Sequence, residues 1–97
     1  KSVTDRFIRS MSISHREFFR LLPRAVGDHS FEITGNRIEI RIGSGTLQIQ
    51  LDKESENRIA SLRLPSTRFE FTFRDVDESS AKTFLERFDR AFQRGGG

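Results

Sequence analysis

Apolar and polar side chains alternate through the middle of the chain, from about residue 30 to residue 73. A period of two buries one face of a β-strand and leaves the other face in water. Turn residues divide this region into five short runs, at Phe31 to Ile33, Ile38 to Ile42, Leu47 to Leu51, Ala60 to Leu64, and Phe69 to Phe73. The pattern predicts an antiparallel meander of five strands with one buried face.

The residues between the runs predict the register of the sheet. Gly35-Asn36 suits a two-residue turn with glycine first. The polar segment Asp52 to Asn57 is expected to be a loop, and Ile59, which breaks the alternation, to be bulged or exposed. The expected cross-strand pairs are Ile33 with Ile38, Ile42 with Leu47, and Leu64 with Phe69.

Helical patterns flank the predicted strands. Ser14 and Glu17 form a capping box at the start of a helix that Pro23 should end or kink. A second helix is expected from Asp77, with apolar residues at helical spacing, and should stop at Gly95. The apolar positions of this second helix are Ala81, Phe84, Leu85, Phe88, Ala91 and Phe92.

These elements predict one α+β domain over residues 1–97. Its two layers are a helix, a five-stranded antiparallel meander and a second helix, with both helices on one face of the sheet. Residues 1–12, whose first ten show a weak helical spacing, and residues 95–97 are expected to be mobile.

The aromatic composition argues for a core. The chain has ten Phe, no Tyr, no Trp and no Cys, which excludes disulfides, thiolate metal sites and a cysteine nucleophile. The run from Phe69 to Phe73 is similar to the aromatic strand of RNA-recognition motifs, but it lacks their glycine. Because its three rings share the side of Leu62 and Leu64, we expect them inside the protein rather than stacked on bases.

The formal net charge of +3 arises from the first 29 residues, which hold six Lys and Arg against three Asp and Glu. Arg16 and Arg20 share a helical face, with Arg24 beyond Pro23. They form a candidate patch for an anion or an acidic partner, or an ordinary solvated helix face.

The exposed face of the predicted sheet offers one further candidate. The register places Glu32 opposite Glu39, and two like charges at this distance repel each other. Such carboxylates could share a proton or bind a cation, or the nearby Arg37 and Arg41 could neutralise them.

Catalytic and metal-binding patterns are missing from the sequence. His15 and His29 are expected to be exposed, and no spacing fits a catalytic residue set, a metal site, a cofactor site or a small-molecule site. No apolar run approaches the ~20 residues of a membrane span, and the polar start is unlike a signal peptide. We therefore expect a soluble, cytoplasmic and bacterial protein that is not an enzyme.

The expected function is a non-catalytic protein-interaction module that binds itself or another protein. Edge addition at the strand from Phe69 to Phe73 is the expected mode, unless Arg68 and Glu70 on that edge protect it from pairing. The alternative is weak binding of RNA or another anion by the N-terminal arginines. A remote alternative rests on Gly95 to Gly97, because this tail resembles the Gly-Gly end of ubiquitin-like modifiers and sulfur carriers, which implies a carrier.

Overall fold

Six strands and two helices make up the computed structural model, which describes the backbone of residues 2–96 and the side chains of residues 4–93. In chain order the elements are β1 (Ser2–Met11), α1 (His15–Val26), β2 (Phe31–Thr34), β3 (Arg37–Ile42), β4 (Gly45–Leu51), β5 (Ser55–Ile59), β6 (Leu62–Asp77) and α2 (Glu78–Gly96). All strand pairs are antiparallel, and the predicted α+β class is confirmed.

Five strands lie side by side in the order β1-β6-β4-β3-β2, while β5 pairs only with the first part of β6. The strand β6 is therefore central and has neighbours on both sides over residues 69–73. This placement contradicts our expectation that the strand from Phe69 to Phe73 forms an edge. Arg68 and Glu70 consequently do not guard a sheet edge.

Residues Ser2–Met11 form a strand and not a helix. In β1, Phe7 lies opposite Phe71 and Met11 lies opposite Thr67. Residues that we expected to be mobile thus add a strand to the predicted meander. The helical prediction failed because it gave weight to Phe7 and Ile8 together, whereas these side chains point to opposite faces of the sheet.

The β2–β3 hairpin has the predicted register, with Ile33 opposite Ile38. The next hairpin differs from the prediction, because Ile42 lies opposite Gly45 and not opposite Leu47. Its two-residue turn begins at Gly43, whose φ of 61° suits the first position of such a turn. The shorter turn shifts the pairing by two residues and keeps the same side chains on the buried face.

The predicted turn from Pro65 to Arg68 does not form. Instead β6 runs without interruption from Leu62 to Asp77, and Leu62 lies opposite Ile59. The hydroxyl of Thr67, which is buried, donates to the carbonyl of Ile13 at 2.8 Å and ties the strand down where the turn was expected. Of the segment that we predicted to be a polar loop, residues 52–54 are irregular, whereas residues 55–57 belong to β5.

Both helices cover the same face of the sheet, as predicted, and enclose one hydrophobic core. From the sheet, Phe69 and Phe71 are completely buried. The ring of Phe18 in α1 contacts Phe69 at 4.7 Å and Phe92 of α2 at 5.1 Å between centroids. The prediction that the rings from Phe69 to Phe73 pack inside is confirmed, so they cannot stack on nucleic-acid bases.

The start of α1 is as predicted, but its end is not. The Ser14 hydroxyl accepts from the Glu17 amide at 3.1 Å, whereas Pro23 lies inside the helix, which continues to Val26. Pro23 removes one backbone donor, and the complete burial of Ala25 and Val26 holds the last turn in place.

The second helix also ends later than predicted, at Gly96 and not before Gly95. Gly97, the last residue of the tail that resembles those of carriers, lies outside the described residues. Neither helix is long and apolar enough, over the part of the chain that the structure describes, to cross a membrane.

Candidate functional site

A two-stranded ribbon extends from the sheet, and we call it the arm (residues 55–66). It consists of β5 and the first five residues of β6, and it lies beyond the last pairs of the main sheet, which form at Thr67 and Phe69. Every residue of β5 is exposed. The strand β5 therefore has both faces in water, which explains why its sequence shows no alternation of apolar and polar residues.

The base of the arm is fixed to the body of the protein. The Asp52 amide donates to the Arg68 carbonyl at 2.9 Å. The amide of His15, the first residue of α1, donates to Glu54 Oε1 at 2.8 Å, and its ring Nε2 lies 2.7 Å from the Asp52 carbonyl oxygen. These contacts hold the chain where it enters β5, so the arm has a defined origin on the body.

The tip of the arm is a strained turn. Ala60 has a φ of 57°, a left-handed conformation that L-residues other than glycine disfavour. The corresponding position of the other two hairpins is glycine, with φ values of 60° for Gly35 and 61° for Gly43. The arm thus lacks the glycine that its turn geometry favours, whereas the other two hairpins have it.

Apolar and like-charged side chains meet near this tip. Ile59 and Leu62, which flank the turn, are 61% and 62% exposed and are the most exposed of the large hydrophobic residues in the described range. The next pair toward the base is Arg58 opposite Arg63. Neither pair stabilises an isolated ribbon, since one leaves apolar area in water and the other sets two positive charges side by side.

The two edges of the arm differ in their capacity to bind another strand. In a two-residue hairpin the pair flanking the turn exchanges hydrogen bonds, and hydrogen-bonded and non-bonded pairs then alternate. Glu56 and Arg58 therefore direct their backbone groups away from β6, into solvent. On the opposite edge the corresponding residues are Arg63 and Pro65, and Pro65 has no N–H to donate. The open edge of the arm is the β5 edge.

The arginines singled out from the sequence lie four positions apart on one face of α1, but their contacts differ. Arg20 donates from Nε to Glu17 Oε1 at 2.9 Å and from Nη2 to Glu17 Oε2. These hydrogen bonds, with smaller electrostatic contributions from Arg20 and Arg16, lower the pKa of Glu17, and the same contact raises the pKa of Arg20. Arg20 is thus engaged within its own helix, and Arg16 lies close enough to act on Glu17.

Arg24 lies near arginines of the other helix, α2. It lines a surface pocket of about 370 Å³ together with Arg87, Arg90 and Ala91 of α2. The sequence could not show this grouping, because it depends on how α1 and α2 pack. Phe18 contacts Phe92, whereas Gly27, at the end of α1, lies against Arg87, so the two helices run antiparallel. This packing places Arg24 in the same pocket as Arg87.

The predicted opposition of Glu32 and Glu39 is observed. Both side chains are exposed and line a surface depression of about 340 Å³ that also contains Arg41. An arginine next to two carboxylates fits the interpretation that the pair is neutralised locally. Whether these carboxylates share a proton stays a prediction.

One side chain on the core side of β1 was not anticipated. Arg9 forms an ion pair with Asp89 of α2, and its guanidinium carbon lies 5.5 Å from the ring centroids of both Phe7 and Phe71. The contact joins the edge strand to the helix layer and borders a pocket of about 430 Å³. Its signal in the sequence was hidden, because an arginine on the buried side breaks the expected pattern.

The histidines have structural contacts. His15 binds the base of the arm, as described above. His29 Nδ1 lies 2.9 Å from the Val26 carbonyl oxygen, and its ring packs edge-on against Phe84. Both are half-buried rather than exposed as predicted. Among the residues that the structure describes, no group of three or more His, Asp or Glu is placed to hold a metal ion.

A comparison with models of known protein families and with curated proteins finds no match to this chain.

Proposed function

We propose that this chain is a non-catalytic protein-interaction module that pairs with a second copy of itself through the free edge of β5. The observation that carries the proposal is the order of residues along that edge, Glu56-Asn57-Arg58. An antiparallel pairing of two such strands centred on Asn57 brings each Glu56 opposite Arg58 of the partner subunit. The edge is therefore complementary to itself in charge.

Backbone geometry supports the same register. Glu56 and Arg58 are the residues whose N–H and C=O groups point away from β6. In a pairing centred on Asn57 these residues face each other across the new interface, so they form hydrogen-bonded pairs and Asn57 forms a non-bonded pair with its own copy. Hydrogen bonds and charges thus favour one alignment.

Pairing would also stabilise the arm itself. A two-stranded ribbon is at best marginally stable in water, whereas a four-stranded ribbon is more stable. In the single chain Arg58 faces Arg63, and pairing gives Arg58 a carboxylate on its other side. Association therefore stabilises a feature that the monomer leaves unsupported.

The other two sheet edges are less suited to this role. The strand β2 has only four residues, and β1 changes register between Val3 and Asp5. Short strands and bulges are the devices by which proteins protect edges from pairing. This comparison favours the arm as the point of association.

The test is a charge reversal, with its compensating exchange as the control. Arg58→Glu places two carboxylates opposite each other in the paired form, but inside the arm it sets the new carboxylate opposite Arg63, which is favourable. We expect the dimer to dissociate at least about tenfold more readily while the folded monomer is not destabilised. The double variant Glu56→Arg with Arg58→Glu restores complementarity, and with it the dimer.

Sedimentation equilibrium over a series of protein concentrations measures the dissociation of the three proteins, and urea unfolding of dilute samples measures the stability of their monomers. A wild-type protein that stays monomeric up to about 1 mM contradicts the proposal. So does a double variant that dissociates as readily as Arg58→Glu alone. A wild type that is monomeric but captures an unrelated protein also contradicts self-pairing.

A further inference from the structure

Three arginines from two helices line one pocket, and none of its lining residues in the described part of the chain carries a carboxylate. Arg24 comes from α1, and Arg87 and Arg90 come from α2. Among the described side chains none of the three forms a salt bridge, whereas Arg6, Arg9, Arg20 and Arg68 each have an acidic partner. Like charges grouped in this way repel each other, and an anion bound between them would remove the repulsion.

Two acidic residues of these helices are engaged elsewhere, and Glu86, four positions before Arg90, forms no salt bridge among the described side chains. Asp89, which lies between Arg87 and Arg90 in sequence, pairs with Arg9 on the sheet side of α2. Glu17, one turn before Arg20, is held by Arg20. Arg24, Arg87 and Arg90 are all exposed, so a ligand has access to them.

The guanidinium group of Arg87 lies against the end of α1. Gly27 ends α1 with a φ of 62°, and a Cβ at this residue would overlap the guanidinium group of Arg87. The guanidinium occupies the space that a side chain would otherwise fill, next to the last carbonyl groups of α1. The negative end of the helix dipole favours a cation at this place, which suits the charge of Arg87.

We propose that Arg24, Arg87 and Arg90 form a binding site for a phosphomonoester. A guanidinium group donates two parallel hydrogen bonds to a phosphate, and three such groups match the three terminal oxygens of a monoester dianion. The pocket, at about 370 Å³, has room for the phosphate and a small attached group. This site is separate from the β5 edge and does not depend on self-association.

A nucleic-acid backbone fits the arrangement less well. It is a chain of monoanionic diesters and requires a continuous basic track. Along α1 the track from Arg16 to Arg24 is interrupted at Arg20, whose guanidinium is paired with Glu17. A single cluster of three arginines favours one isolated phosphate.

Titration calorimetry tests the site with four probes. They are inorganic phosphate, a short phosphoserine peptide, the same peptide without phosphate, and a single-stranded RNA with hydroxyl groups at both ends. We expect the first two to bind and the unmodified peptide not to bind. Equal affinity for phosphate and phosphopeptide indicates a small phosphorylated molecule as the source, and tighter binding of the phosphopeptide indicates a phosphorylated protein.

Variants assign the binding to the pocket. Arg24→Gln with Arg90→Gln should weaken phosphate binding at least about tenfold, since charge-assisted hydrogen bonds are lost. Arg87→Lys keeps the charge and should weaken it less. The control, Arg16→Gln with Arg74→Gln, removes the same charge elsewhere and should leave the affinity within about twofold. Equal losses in both double variants, no binding of either phosphate probe, or tighter binding of the RNA overturns the proposal.

Discussion

Arg58 and Arg63 lie directly opposite each other on neighbouring strands of the arm. Two like charges in this relationship destabilise a β-ribbon, typically by a few tenths of a kcal/mol to about 1 kcal/mol. No acidic side chain forms a salt bridge with either arginine among the described residues. The arm thus carries an internal conflict at its most exposed end.

Arg63→Glu should remove this conflict and stabilise the arm. We expect the amides of β5 to exchange with solvent about two- to fivefold more slowly, corresponding to roughly 0.5–1 kcal/mol for the new cross-strand pair. Hydrogen exchange followed by NMR in dilute, monomeric protein measures the effect. The control Arg63→Gln removes the repulsion without adding an attraction and should give a smaller change. Unchanged exchange in both variants would show that the two guanidinium groups do not interact.

Ala60→Gly should stabilise the same arm by a different cause. Ala60 has a φ of 57°, where an L-residue with a Cβ costs about 1–2 kcal/mol relative to glycine. Part of the gain is lost because glycine raises the entropy of the unfolded chain. The net gain should be about 0.5–1 kcal/mol in the local opening free energy of the β5 amides, again by hydrogen exchange.

The neighbouring turn residue provides the control for this substitution. Ser61 does not have a positive φ, so Ser61→Gly brings only the entropic cost and should speed the exchange of β5 amides. If both glycine variants behave alike, the conformation of Ala60 is not the source of the strain.

Much of the fold could be predicted from the sequence because an element with one buried face has apolar residues at regular spacing. The turn at Gly35 fixed the β2–β3 register, and the apolar stripe of α2 identified the helix that covers the sheet. The arm escaped prediction for the same reason. The strand Ser55–Ile59 has both faces in water, so its apolar and polar residues do not alternate. The spacing of Leu62 and Leu64 is typical of a buried strand, and for this reason the turn was predicted to begin at Pro65.

The candidate sites show a similar limit. Arg24 was singled out from its own helix, but Arg87 and Arg90 joined it only through the packing of α2 against α1. Their sequence neighbours made the last helix neutral overall, which hid the basic cluster. Arg9 was missed because its partner Asp89 is 80 residues away in the sequence. A contact over such a distance leaves no local pattern.

Asp77, which precedes α2, should make the free energy of unfolding decrease as the pH falls into the acidic range. Hydrogen bonds to its carboxylate, first from the Ser79 hydroxyl at 2.6 Å and also from the Ser80 amide, contribute to a pKa of about 2 in the folded protein. The unfolded value is about 3.9. A lowered folded pKa stabilises the protein above the unfolded value, and this contribution is lost as the pH falls through the folded value.

Asp77→Asn keeps a side-chain oxygen at the cap and removes the charge. We expect the variant to be less stable than wild type at neutral pH, and the difference to shrink from about pH 4 to about pH 2 as the wild-type carboxylate becomes protonated. Urea unfolding at about pH 7, pH 4 and pH 2 measures the difference. Ser79→Ala, which keeps the carboxylate but removes its main hydrogen-bond donor, should shift the loss of stability to higher pH. A difference between Asp77→Asn and wild type that stays constant down to about pH 2 would show that the Asp77 charge does not stabilise the start of α2.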